Sequence, residues 1–465
     1  MLWVMMGLRA IEGAGALALG ADVLSGRVKV SELVERCLAA ISEVEDDLHA
    51  FVTVALEEAQ AEALRLDEEL ASGIWRGPLH GVPIAVKDNI ATRSLRTTLN
   101  SRAFADFVPS EDAQCVKRLR SAGCVIVGKS NLNELAFSDP SEEDLTPPAR
   151  NPLRPGTLAA LSSSGSGAAV AAGLVPVALG TDGGGSIRLP ASQMGLVGLR
   201  RGASGDDDEE WGGLSTVGIL GKTGGDVRAV LDALEPNRAP EERLTSMDGI
   251  RVSVPWSLID RVCTDADERE AFESSLDIFR RLGGKCCDID MPEWEGAANA
   301  TFMLLYAVLT ARYWKMAGSS ASGLGQSVRE RILAGAFITL GDVEAARSLG
   351  VSLRLGLRAK LVETKSLAIA TPVTPGVSYA AKSGQGLAGG VVFTAPVNLL
   401  GWCAVSVPVA ESRGNPTGLQ LAAPAGSERR LLDLATLLLV HRESKTRGSD
   451  GGVASETRAR TRWFS

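Results

Sequence analysis

The sequence predicts an α/β fold in which one sheet is sandwiched between layers of helices. Two observations carry this. Short apolar runs of strand length alternate with longer stretches of helical periodicity along most of the chain. The composition, 45% hydrophobic and 22% charged over 465 residues, is that of a globular protein large enough to bury an extensive core.

The elements follow in order. From Ser31 to Ser72 the pattern is helical: Leu33, Cys37, Ile41 and Val44 recur every three or four positions, and Ala59, Ala63, Leu66 and Leu70 do the same. Ile84 to Lys87 is a short apolar strand bounded by Pro83 and the polar pair Asp88-Asn89. Ser110 is placed to cap a helix, with Glu111 and Asp112 in its first turn and Gly123 past its end, and CVIVG follows as a strand. The alternation continues through SGAAVAAG as helix, VPVALG as strand, Arg251–Pro255 as strand, EREAFESSLDIFRRLGG as helix and KCCDID as strand. Residues 1–440 read as one domain, and the polar, glycine-spotted segment 441–465 as a flexible tail.

Charge and cysteine usage narrow the function. The net charge is -8 with no long basic cluster, so nucleic acid is not expected as a partner. The densest charge run, Asp206 to Glu210, reads as a solvated loop, because hard-cation loops alternate carboxylates with other oxygen ligands. Seven scattered cysteines without a CxxC pair indicate reduced thiols and a cytoplasmic protein. The apolar start MLWVMMGL lacks the charge order of a signal peptide, and no segment is long and apolar enough to span a membrane.

Several motifs fail on context. GCVIVGKS, Gly123 to Ser130, matches GxxxxGK(S/T), but its middle residues are themselves the apolar strand, and sheet-paired amides cannot cradle a phosphate. The three histidines, His49, His80 and His441, lie in unrelated segments, so a three-histidine metal site is not expected. No serine sits in a GxSxG elbow, and only His80 could serve a histidine-based triad. No metal or cofactor is expected. A serine can instead be activated by a lysine kept neutral through burial or nearby positive charge, and Lys87 ends an apolar strand.

GVPIAVKDNI (Gly81–Ile90), SSSGSGAAVAAG (Ser162–Gly173) and GLVPVALGTDGGGSIRLPAS (Gly173–Ser192) resemble, in order and spacing, three consecutive blocks of the amidase signature family. FTAPVNLLG and PTGLQLAAP are similar to that family's closing segments, so the resemblance runs to about residue 440. It implies a large mixed β-sheet covered on both faces by helices, with the signature core at about 75–230 and a variable substrate-side segment at about 290–360. It also implies Ser186 as nucleophile, Ser162 as a bridging serine on a cis peptide bond, and Lys87 as general base. The chemistry is consistent: a hydroxyl attacking an amide must lose its proton, and Ser162 can relay it to a lysine on another strand. Gly183, Gly184 and Gly185 leave room for a carbonyl oxygen beside Ser186 and read as the oxyanion hole, while Arg188 reads as a structural salt bridge. Ala160-Leu161, Ser164, the segment 200–213 and Ser215 depart from the family's habit.

The first reading is therefore an amide hydrolase acting alone, or as a homodimer, on a small amide or carbamate. The alternative is the amide-cleaving subunit of a glutamine amidotransferase that acts on misacylated transfer RNA with a partner. A catalytically dead binding relative is the third, and intact Lys87, Ser162 and Ser186 argue against it.

Overall fold

In the computed structural model, described for residues 11, 14–142, 144–203, 212–239, 241–318, 323–376 and 390–448, eleven strands form one sheet in the order β1-β3-β2-β4-β6-β5-β10-β11-β9-β7-β8. The strands are β1 Phe51–Val54, β2 Pro83–Lys87, β3 Val125–Ser130, β4 Val177–Asp182, β5 Val197–Arg200, β6 Thr216–Gly221, β7 Arg251–Val254, β8 Lys285–Asp288, β9 Ala368–Pro372, β10 Cys403–Ser412 and β11 Asn415–Ala423. The sheet is mixed. Strand β2 runs parallel to β3 and β4, and β7 parallel to β8 and β9, whereas β4, β5, β6, β10 and β11 join antiparallel.

Helices cover both faces. They are α1 Ala16–Leu24, α2 Val30–Leu48, α3 Leu56–Ala71, α4 Gln114–Ser121, α5 Ser164–Ala171, α6 Arg188–Gln193, α7 Gly224–Leu234, α8 Trp256–Val262, α9 Ala266–Arg281, α10 Trp294–Ala317, α11 Gln326–Gly335, α12 Leu340–Thr364, α13 Ala395–Leu399 and α14 Glu428–Gly448. Successive strand side chains point to opposite faces. Thus Ile84 and Val86 of β2, and Val177 and Leu179 of β4, enter a core shared with α4, α7, α9 and α14, while Ala85 and Ala178 pack with α2, α3 and α5. A third core, around Leu304, Leu305, Leu309, Val328 and Ile332, belongs to α10 and α11 and closes over the segment Leu135–Phe137.

Three sequence expectations shift. Between the predicted helices at 31–72 the β-branched run FVTV forms β1 and pairs antiparallel with β3, after His49 ends α2 in the left-handed conformation. Helix α4 begins at Gln114, not after Ser110, because Asp112 accepts the Arg93 amide (2.7 Å) and Glu111 pairs with Lys117, so neither serves a helical turn. Helix α14 runs through Gly448, past the expected start of the tail; 449–465 lies outside the described residues, as do 1–10 and the acidic run 206–210. Among the described residues no helix is long and apolar enough to cross a membrane.

Glu268 of α9 is buried against β11, where one carboxylate oxygen accepts the Thr417 hydroxyl and the other has no partner among the described residues. Burial pushes this carboxyl up to about 7. A carboxyl raised in the folded state binds its proton more tightly there than in the unfolded chain, so its stability contribution falls as pH rises from about 4.5 to 7. Glu268→Gln keeps the acceptor and removes the charge. It is expected to stabilise the protein at pH 8 by about 2 kcal/mol and little at pH 5. Thermal melts at the two pH values check this, and an equal effect at both would contradict it.

Candidate active site

The glycine run leaves the end of β4 and turns into α6, so that Ser186 stands at a strand-to-helix turn, partly exposed, with Gly183 and Gly184 beside it. Lys87 ends the neighbouring parallel strand β2 and is fully buried. Ser162 precedes α5, and the Leu161–Ser162 peptide is cis. The turn and the serine-rich segment are tied directly, since the Ser163 amide donates to the Ser186 carbonyl at 3.2 Å.

Lys87 Nζ lies 2.7 Å from Ser162 Oγ, 3.1 Å from Ser163 Oγ and 3.0 Å from Thr181 Oγ1. These hydroxyls are themselves oriented. Ser163 Oγ donates to the Thr181 carbonyl and accepts the Thr181 amide. Thr181 Oγ1 accepts the Asn89 side-chain amide at 3.0 Å as well as the Lys87 amine, one on each lone pair. Sequence reasoning misses Ser163, Thr181 and Asn89. All three lie inside the signature-like blocks, but nothing in a linear pattern shows that they converge on one amine.

Asp182 holds the turn that carries Ser186. One oxygen accepts the Gly185 amide (2.8 Å) and the other the Ile187 amide (3.1 Å), while Arg188 donates to both, at 2.8 and 2.9 Å. Arg188 also donates to Thr394 O, Gln420 Oε1 and Asn398 Oδ1, which locks the turn to α13 and β11. Burial alone would raise the Asp182 carboxyl, but the Arg188 guanidinium, with Arg200 and the Asn398 amide, holds it well below the usual carboxylate range.

This arrangement changes the reading of the glycines. The Gly185 N–H is committed to Asp182, so it is not the inward-facing donor that the sequence suggested. Gly185 is required for another reason: its φ is +129°, and a Cβ there would stand 2.4 Å from Thr394 Oγ1. Thr394 Oγ1 in turn donates to the Gly184 carbonyl at 2.7 Å, which fixes the orientation of the Gly184–Gly185 peptide. The amides of Gly183, Gly184 and Ser186 are not among the donors with an acceptor in the described residues. Side chains of α10 face this turn: Cβ atoms built on Gly183 and Gly184 would lie 3.6 Å from Leu305 and from Phe302 respectively. Phe302 stacks on Phe137 (6.1 Å), which meets Tyr306 edge-on (5.0 Å).

The motifs that fail on context have structural roles. His80 is fully buried, with Nε2 3.1 Å from the Leu66 carbonyl and Nδ1 accepting the Arg76 amide, a packing role away from Ser186. Lys129 of the GKS sequence lies in β3 and bonds Ile90 O and Thr97 Oγ1, with Asp88 at 3.4 Å. Burial pulls its amine down to about 8 against the opposing pull of Asp88. A lysine so enclosed cannot reach a phosphate.

Comparison with known proteins adds the lineage. The amidase family profile matches residues 32–432. The A subunit of glutamyl-tRNA(Gln) amidotransferase from Synechococcus sp. (strain CC9311) is 31% identical over 88% of this chain and 93% of its own length. The same-named protein of Symbiobacterium thermophilum is 31% identical over 89% and 93%. Among solved structures, an amidase aligns with a TM-score of 0.81 at 28% identity, covering 92% of this chain and 100% of that one. The peptide amidase of Stenotrophomonas maltophilia aligns at 0.78 and 25% identity, covering 92% and 97%. A protein of a vestigial complex tied to the origins of an s-triazine catabolic enzyme aligns at 0.81 and 25%, covering 92% and 98%. These relatives correct one expectation. The sequence suggested a chain acting alone or as a homodimer on a small molecule, without nucleic acid, but its curated relatives are named as subunits and one structural relative comes from a protein complex, which points to protein partners. With the sheet order, the glycine turn and the match over most of its length, this chain belongs to the amidase signature family, whose enzymes act on carbon–nitrogen bonds.

Proposed function

We propose that the chain cleaves a carboxamide C–N bond through an acyl intermediate on Ser186, as the amide-cleaving subunit of an assembly with another protein. The observation that carries the chemistry is the 2.7 Å contact of buried Lys87 with Ser162, the neighbour in sequence of Ser163, whose amide donates to the Ser186 carbonyl. Ser186 Oγ attacks the carbonyl carbon; its proton passes to Ser162 Oγ, whose own proton passes to Lys87 Nζ. The oxyanion is held by the amides of Gly183, Gly184 and Ser186. Collapse breaks the C–N bond as the proton returns through Ser162 to the leaving nitrogen. Water then attacks the ester by the same relay and releases the acid.

The names of the relatives favour glutamine as the amide, with ammonia passed onward in an amidotransferase. A second reading, an amide with a less polar acyl group, is favoured by Phe302 and Leu305 beside the glycine turn. Ammonia release separates them. Glutamine turnover that needs a second protein supports the first; turnover of hexanamide or phenylacetamide in preference to glutamine supports the second. No ammonia from any of these, with or without the partner, would overturn the proposal.

A further inference from the structure

A peptide between two glycines rotates without meeting a Cβ, so the turn before Ser186 is easily distorted unless its peptides are held. From Gly184 to Ile187 they are. The Gly185 and Ile187 amides donate to Asp182 at 2.8 and 3.1 Å, the Gly185 carbonyl accepts the Leu189 amide at 2.8 Å, and the Ser186 carbonyl accepts the Ser163 amide at 3.2 Å. Asp182, Leu189 and Ser163 all belong to the signature-like blocks around the turn. The Gly184 carbonyl is held from elsewhere: it accepts the Thr394 hydroxyl at 2.7 Å, across 210 residues of chain.

This distant hold acts on the peptide that lies between the proposed oxyanion donors. With the N–H of the Gly184–Gly185 peptide on Asp182 and its carbonyl on Thr394, the plane is fixed at both ends. Any change in Gly184 ψ or Gly185 φ turns the Gly184 and Ser186 amides relative to one another. Thr394 is itself preset. It is fully buried, its amide donates to Val391 O at 3.0 Å, and its carbonyl accepts Arg188 Nη1 at 2.8 Å. The flanking carbonyls of Phe393 and Ala395 accept Gln420 of β11 at 2.8 Å and Thr301 of α10 at 3.0 Å. The hydroxyl has one proton to give, and Gly184 O at 2.7 Å is nearer than Val391 O at 3.3 Å.

We infer that Thr394 is a positioning residue for amide cleavage, whose hydroxyl sets the direction of the oxyanion donors through the Gly184 carbonyl. This rests on the reading of Ser186 as nucleophile and extends it to the far end of the chain. Because Thr394 acts on donors that meet charge only as the carbonyl is attacked, its loss is felt in the transition state and not in substrate binding.

The test compares Thr394→Ala with Thr394→Ser in the whole protein. Both remove the methyl group and only alanine removes the hydroxyl, so their difference reports the hydrogen bond. Removing an oxyanion donor outright costs about 10²–10³ in kcat, and tilting one costs less. The substrate is the amide that the wild type cleaves fastest among hexanamide, phenylacetamide and glutamine. Thr394→Ala is expected to lower kcat by about ten- to a hundredfold with KM changed by less than about threefold, and Thr394→Ser to stay within about threefold of wild type in both. Thr394→Val, which keeps the volume but sets a methyl against Gly184 O, is the second variant without the hydroxyl and is expected to lose at least as much. A trifluoromethyl ketone with the same acyl chain gives the independent readout. Ser186 Oγ adds to its carbonyl carbon and yields its proton to the relay, leaving a hemiketal oxyanion in the same hole. Its inhibition constant is expected to weaken in Thr394→Ala by the same factor as kcat/KM. A role in folding alone would lower the Tm and move neither kcat nor the inhibition constant of the folded protein. Either hydroxyl-free variant, folded and equal to Thr394→Ser in both quantities, would overturn the inference and leave Ser186 in place, as would a change confined to KM. A wild type that cleaves none of the amides and takes no ketone would overturn the reading of Ser186, and the inference with it.

Discussion

Lys87→Ala is expected to lower kcat/KM by at least about three powers of ten while leaving the protein folded, and Ser186→Ala to abolish turnover. In the proposed relay Lys87 accepts the proton that Ser186 must lose, and no neighbouring group replaces it. His80, the other base the sequence offered, is tied to Leu66 and Arg76, and Lys129 is enclosed with Asp88, Ile90 and Thr97. Ser162→Ala is expected to lose less, since a water in the vacated space can bridge Lys87 and Ser186. Steady-state assays with folding checked by circular dichroism decide the point. A Lys87→Ala protein with near-normal kcat/KM would place the base elsewhere.

Asp182→Ala is expected to be the most destabilising single change near the site, by about 3–5 kcal/mol, because it leaves a buried guanidinium without its carboxylate. Asp182 and Arg188 are both fully buried, and the pair connects the glycine turn to Thr394, Asn398 and Gln420. The double variant Asp182→Ala, Arg188→Met removes both charges and is expected to recover part of the loss. The pH dependence has the opposite sign to that of Glu268. The Asp182 carboxyl is depressed in the folded state, so its contribution is complete above the unfolded value of about 3.9 and is lost as pH falls below it. Urea melts of the wild type and both variants test this; an Asp182→Ala protein as stable as wild type would remove the carboxylate from its structural role.

The α/β architecture was legible because strand-length apolar runs alternate with helical periodicity, and β2, β3, β4, β7 and β8 fall on the runs that read as strands. The structure brings Lys87 and Ser162 into contact and ties Ser163 to Ser186, all from the signature-like blocks. What stayed hidden depends on distance along the chain. FVTV is lost in a helical stretch because its strand character rests on pairing with β3, far along the sequence. The Gly185 amide looks available until the Asp182 side chain folds back onto it. Arg188 reads as a structural salt bridge, yet its contacts to Thr394, Asn398 and Gln420 cross more than 200 residues, which no local pattern carries. The naming of the relatives as subunits corresponds to no motif that the sequence reading singled out.

The acyl-serine intermediate is tested most directly by trapping it. A slowly deacylating amide or a fluorophosphonate is added to the wild-type protein, and the modified peptide is mapped by tandem mass spectrometry. The mechanism predicts one covalent adduct, on Ser186, formed far more slowly in Lys87→Ala and absent in Ser186→Ala. An adduct on Ser162 or on a cysteine in place of Ser186, or amide turnover that persists in Ser186→Ala, would contradict it.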